Sequence, residues 1–258
     1  PSGRIEVAMH RFYVPDIDDT DRSISLDGSI ARQLKTVLRA DAGEHIRLFD
    51  GSGSEWEVEI DHVGKNEVST TIVSAVRPAA EPASKVTMLL GLAKPERIEL
   101  AIQKCTELGA ARFIPVISER VQGRNTGTPS DKRLERWQRI AIEASEQSGR
   151  ATVPTVEAPV SLMEAVQAIV SEQPLLCMWE LLTNDSKPLR NVLQSLDTQS
   201  QQLAALIGPP GGFNTDEARS IREAGAQLVT LGSRVLRTET AAITVMSAIL
   251  YELGDLGG

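Results

Sequence analysis

The chain has 258 residues, of which 41% are hydrophobic and 24% charged, and a formal net charge of −8. This is globular material sufficient for one large or two ordinary domains, and it excludes disordered and fibrous classes. The acidic balance excludes loose, purely electrostatic binding of nucleic acid, and 3% aromatics exclude a stacking platform of several rings.

From the N-terminus, "PSGRIEVAMHRFYV" lacks the apolar core of a signal peptide, and Met9 reads as a natural start behind residues 1–8. No apolar run approaches the roughly 18 residues that span a bilayer. With only Cys105 and Cys177, both among apolar neighbours, the expected location is the cytoplasm.

Residues 9–76 read mostly as β structure. "HIRLFDGSGSEWEVEI" (45–60) holds two strand-like runs around a Gly/Ser turn, with Trp56, Val58 and Ile60 alternating against Glu55, Glu57 and Glu59. "EVSTTIVSAV" (67–76) is a further β-branched strand. One helix, "SIARQLKTVLRA" (29–40), carries Ile30, Leu34, Val37 and Leu38 on its inner side. "RPAAEPAS" (77–84) is aperiodic and forms the expected linker, which sets the domains at 1–76 and 85–258.

From residue 85 strands and helices alternate, the pattern of an α/β domain with a largely parallel sheet. "KVTMLLGLA" precedes a helix in which Pro95 suits the first turn and Gly109 the stop. Ile98, Ile102, Cys105 and Leu108 form its apolar stripe. "ARFIPVIS" (111–118) is a strand, 131–149 a helix, and "SLMEAVQAIV" (161–170) a helix opened by the capping pattern of Ser161 and Glu164. "LLCMWE" (175–180), "LAALIG" (203–208) and "AQLVTLG" (226–232) are buried-type strands, with helices at 215–224 and 239–253. Ile243, Val245, Met246 and Ile249 of the last helix suit either core or interface.

Two bare loops follow the last two strands, "LIGPPGGF" (206–213) and "LGSRVLRTETA" (231–241). Ligands bind at the C-terminal ends of strands in such sheets, and glycine lets the backbone approach them. The two loops are expected to form two walls of one pocket. Neither holds a P-loop or a G-x-G-x-x-G fingerprint. "LFDGSGSE" (48–55) mimics a nucleotide loop, but the period-two run after it makes it a hairpin turn. Thr238 can cap the last helix, with Glu239 in its first turn and Arg237 just outside. The three histidines have no metal-ligand spacing, so no metal is expected.

"KPERIELAIQKCTELGAARFIPVISER", "EQSGR", "LIGPPGGF" and "LGSRVLRTETAAI", in this order behind "HRFYV", resemble the RsmE family of 16S ribosomal RNA uridine-N3 methyltransferases, of the SPOUT superfamily. The resemblance covers the chain from His10 to the last helix. It implies an N-terminal PUA-like β-barrel that holds RNA and an α/β SPOUT domain whose parallel sheet carries a trefoil knot. It further implies a homodimer acting on 16S rRNA or the small ribosomal subunit, with S-adenosyl-L-methionine bent in the knot.

Carried over by position, the cofactor residues are Gly208, Pro209, Gly211, Gly212, Leu231, Gly232 and the run Leu236, Arg237, Thr238, Thr240 and Ala241. Glu180 and Leu181 form a weaker third wall. The family loop usually reads Gly-Pro-Glu-Gly-Gly, and Pro210 replaces its Glu, so no role of that carboxylate carries over to this chain. Uracil N3 carries a proton at neutral pH, so methylation there needs that proton removed or the anion stabilised. Arg237 is the expected cation beside the uracil carbonyls and Glu239 the expected proton acceptor.

Residues 1–84 carry 9 Lys/Arg against 15 Asp/Glu, and residues 85–258 carry 18 against 20, so RNA requires a local basic track. Arg32, Lys35 and Arg39 fall on one side of a helix, and Arg11, Lys94, Arg97, Lys104 and Arg120 lie where the family is basic. Two alternatives stand beside this reading. One is a SPOUT enzyme for another rRNA or tRNA position; the other is a non-catalytic assembly factor, which would bind no cofactor.

Overall fold

The computed structural model describes residues 9–17, 20, 22–79, 81–119, 130–180, 186–196 and 202–257. Contacts divide the chain into two units, residues 1–80 with 145–153, and residues 81–144 with 154–258.

The first unit is built on strands β1 (Arg11–Tyr13), β2 (Ser23–Leu26), β3 (His45–Phe49), β4 (Glu55–Val63) and β5 (Val68–Val76). They form one sheet in the order β1-β3-β4-β5-β2, an open half-barrel. The 48–55 segment is the antiparallel turn between β3 and β4, as its period required. Trp56, Val58 and Ile60 face the core at 7%, 0% and 0% exposure. Glu55, expected outside, is buried as well, because Arg11 meets it.

Arg11 spends every donor it has. Its five N–H groups reach both Glu55 carboxylate oxygens and the carbonyls of Ser145, Glu146 and Arg150, at 2.9 to 3.2 Å. Residues 145–153 are thereby held in the first unit, where Gly53 N donates to Ala151 O and Val153 N to Gly51 O. Arg11 therefore has nothing left for a phosphate, which corrects its assignment to RNA.

The helix near residue 30 also departs from expectation. It starts as α1 (Gly28–Arg32) and widens into a π-helix over Gln33–Leu38. Bonds to i+5 underwind the turn, so Val37 rotates out to 71% exposure while Ala31 and Leu34 are buried. Arg39 leaves the helix in a left-handed conformation at φ 54°. Arg32, Lys35 and Arg39 are all exposed, but they no longer share one helical stripe.

The second unit is a parallel sheet with helices on both faces. Its strands are β6 (Lys85–Gly91), β7 (Arg112–Ile117), β8 (Thr155–Val156), β9 (Val160–Ser161), β10 (Leu175–Met178), β11 (Lys187–Pro188), β12 (Gln202–Ile207) and β13 (Gln227–Thr230). Their order is β11-β13-β10-β12-β6-β7-β8, with β9 beside β7. Along β6, Val86, Met88 and Leu90 join one core and Leu89 the other, the alternation a strand covered on both faces must show.

Helices α2 (Pro95–Leu108), α3 (Asp131–Ser148), α5 (Leu189–Ser195) and α7 (Thr238–Glu252) cover the first face. Helices α4 (Leu162–Glu172) and α6 (Thr215–Glu223) cover the second. Pro95 opens α2, and Gly109 stops it at φ 108°. Val245, Met246 and Ile249 of α7 are fully buried within the chain. The short pieces β8, β9, β11 and α5 carried too few residues for a period to show.

No helix among the described residues is long and apolar enough to cross a membrane. Arg11→Met keeps the stem but strands the buried Glu55 carboxylate, and should cost about 3 kcal/mol. Urea unfolding checks this: the midpoint falls, and Arg11→Met with Glu55→Leu recovers part of the loss.

Candidate active site

β10 lies between β12 and β13 in the sheet. The two strands whose loops were expected to wall one pocket therefore flank a third, and the segment after β10 stands between their loops. All three strand ends are parallel, so their C-terminal loops meet at one edge. There they enclose a cavity of about 420 Å³, within the ~300–1,000 Å³ typical of small-molecule sites.

The first wall is Gly208 to Gly212. Gly212 N donates to Pro209 O at 2.8 Å, with Gly211 at φ 95°. Proline at the first corner and glycine with positive φ at the second are the signature of a type II turn. Pro210 thus suits the loop's shape. Phe213, 2% exposed, anchors the turn in the core, and Asn214 caps α6 in a reciprocal box with Glu217.

Gly91, at the end of β6, supports this wall from behind. A Cβ there would run into the backbone of Pro209. Nothing in the pattern of "MLLGLA" signals this close approach, and sequence reasoning missed it. A Cβ on Gly212 would likewise strike the carboxylate of Glu180.

The second wall runs from Leu231 through Arg237 to the start of α7. Arg237, not Thr238, occupies the N-cap position, and it makes no side-chain cap. Thr238 is the first helical residue, 5% exposed. Its hydroxyl donates instead to Gly208 O at 3.2 Å, stapling the second wall to the first. Met178, Trp179 and Glu180 form the wall between them, and Trp179 N extends the ladder to Val229 O at 2.8 Å.

A family model described as an RNA methyltransferase domain matches residues 80–250, and one described as an RNA methyltransferase PUA domain matches residues 26–73. The ribosomal RNA small subunit methyltransferase E of Mycobacterium tuberculosis is 32% identical over 240 residues, 92% of this chain and 90% of that one. Its Bacillus subtilis namesake is 32% identical over 238 residues, 92% and 93% of the two chains. The chain belongs to the ribosomal RNA small subunit methyltransferase E family. The fold agrees with that family. The crystal structure of its Neisseria gonorrhoeae member, bound to S-adenosyl methionine, is 34% identical with a TM-score of 0.84, over 94% of this chain and 97% of that one.

Most of the cofactor residues expected from the family come together. Glu180, Gly208, Pro209, Gly211, Gly212, Leu231, Gly232, Leu236, Arg237, Thr238 and Ala241 all line the cavity. Thr240 is exposed and does not line it. Leu181 and Arg120 lie outside the described residues.

Glu239 is in the first turn of α7 but is not among the lining residues. Arg97, expected on an RNA track, is one of them, as are Arg234 and Val235. Lys94 is exposed, whereas Lys104 is paired with Glu107 at 2.7 Å.

Burial pushes the Cys105 thiol up to about 12. It raises Cys177 too, with help from Glu180 and Glu217, so neither is a ready nucleophile.

The staple is open to test. Thr238→Val strands the Gly208 carbonyl and should lower stability by about 1–2 kcal/mol. Calorimetric unfolding reads that loss, and Thr238→Ser, which keeps the hydroxyl, should restore most of it.

Proposed function

We propose that this protein transfers a methyl group from S-adenosylmethionine to N3 of one uridine in the 16S rRNA of the small ribosomal subunit. The observation that carries this is the cavity closed by three strand-end loops, in a chain whose family includes a member solved with that cofactor. The walls fit such a ligand. They combine apolar groups of Trp179, Ile207, Leu231 and Leu236 with the bare backbone of Gly208, Gly211, Gly212 and Gly232 and the carboxylate of Glu180. Pro209 and Ala241 complete the set that would hold it.

When bound, S-adenosylmethionine supplies a sulfonium methyl as the electrophile. What remains for this chain is the nucleophile. Arg237 lines the cavity and is exposed, so its guanidinium is placed to favour the uracil anion through a carbonyl oxygen. Glu180, by contrast, is a wall residue whose carboxylate abuts Gly212. Pro210 takes a turn corner and leaves the cavity intact, which weighs against a loop that has lost its use.

The first unit, with the domain proper at residues 1–76, would hold RNA. Residues 77–84 would link it to a catalytic domain at 85–258. Arg32, Lys35, Arg39 and Lys94 remain the proposed phosphate contacts. Family membership supports the trefoil knot of the SPOUT fold and a homodimer. Action on small-subunit RNA would put the enzyme in the cytoplasm.

Mass mapping of 16S rRNA from a strain lacking the gene should show one uridine without its methyl group. The wild-type gene restores it. Arg237→Ala should bind S-adenosylmethionine in calorimetry like wild type while turnover falls about a hundredfold. An unchanged map overturns the substrate, and absence of binding heat overturns the cofactor.

A further inference from the structure

We propose that Arg97 is a second guanidinium at the reacting uridine, and that Glu239 is the positioning residue that holds it there. This rests on the function proposed above and adds a residue to it.

Arg97 lies in the first turn of α2, whose entry Pro95 fixes. Its side chain is 31% exposed and lines the cavity. Glu239 lies in the first turn of α7, with its side chain 13% exposed and off the cavity. The two approach at 3.8 Å, from Arg97 Nε to Glu239 Oε2. That oxygen is fully buried and accepts no hydrogen bond. The contact is ionic and too long to use a donor, so the carboxylate steers the guanidinium without occupying it.

The contrast with Arg11 is direct. Arg11 spends all five donors inside the fold, whereas the Arg97 guanidinium makes no hydrogen bond among the described residues. An arginine held in place at a cavity with its donors unspent is equipped for a ligand acceptor.

Uracil supplies two. Loss of the N3 proton spreads negative charge over O2 and O4, which flank N3. Arg97 comes from α2 and Arg237 from the turn before α7, so one cation can serve each oxygen. Both stand at helix N-termini, whose dipoles add to the positive potential. The N3 proton passes to water, the N3–C bond forms as the S–C bond breaks, and no side chain keeps the proton. Among the described residues, Arg234 and Glu180 are the other charged groups lining the cavity.

The full-length protein tests this through Arg97→Gln, Arg97→Lys and Glu239→Gln. For Arg97→Gln the single-turnover rate at neutral pH should fall about a hundredfold. The pH–rate profile should move to higher pH, because the N3 proton is then held more tightly. S-adenosylmethionine binding heat and the unfolding midpoint should match wild type, which certifies the fold. Arg97→Lys should recover part of the rate. Glu239→Gln should lose less than Arg97→Gln, and the double variant no more, since both act through one group.

RNA carrying 5-fluorouridine at the mapped position gives a reading without turnover. Its fluorine resonance should titrate at lower pH on the wild-type protein than on Arg97→Gln. A wild-type rate and profile in Arg97→Gln overturns the proposal. So does a profile flattened by Glu239→Gln alone, which would make Glu239 the base. Absence of uridine methylation by the wild-type protein instead overturns the function on which it rests.

Discussion

At the edge of the parallel sheet, backbone lies against backbone with no side chain between. Gly91 meets Pro209 and Gly208 meets Gly212, each at a separation that a Cβ would close. Protein interiors repack poorly around an added methyl group when the neighbour is main chain rather than a flexible side chain. The cavity therefore owes its shape to atoms that are missing. The Thr238 hydroxyl then ties the two outer walls together through Gly208 O, so the two loops do not stand independently of one another. Preformed walls of this kind spare a ligand the cost of ordering them.

Charge is distributed with similar economy. The chain is acidic overall at −8, so cations cannot be spread indiscriminately over an RNA-facing surface. Arg11 is consumed in holding residues 145–153, and Lys104 is paired with Glu107. Arg97, Arg234 and Arg237 gather at the cavity. Selectivity for one nucleotide is better served by a few directed guanidiniums than by a diffuse positive field, whose attraction is insensitive to sequence.

Much of this was legible in residue order. Periods of two and of about 3.6 separated the hairpins of the first unit from the alternating elements of the second, because each period reports which face is buried. The glycine loops stood out because no regular element tolerates Gly-Pro-Pro-Gly-Gly. What was hidden has physical causes too. Widening of the helix at Gln33–Leu38 turns Val37 outward without altering the apolar spacing. Gly91 looks like any residue of a buried strand until the Pro209 turn is laid beside it. Strand order is not encoded in local pattern, so the central place of β10 could not be read from it, and Glu180 was expected at the site only through the family resemblance. The same is true of Arg97 and Glu239, which lie far apart in sequence and meet only across two helix starts.

The return of residues 145–153 to the first unit bears on how the chain is made. The N-terminal half-barrel cannot complete its contacts as it leaves the ribosome, since the carbonyls that Arg11 needs are translated much later. Until residue 150 has been added, Arg11 has the Glu55 carboxylate but not all three of its carbonyl partners. Vectorial synthesis would leave this unit provisional while most of helix α3 is being added, a natural moment for chaperone engagement. The same stitching makes a fragment cut at residue 80 an incomplete body, so separating the two units genetically requires a graft of the later segment rather than a simple truncation.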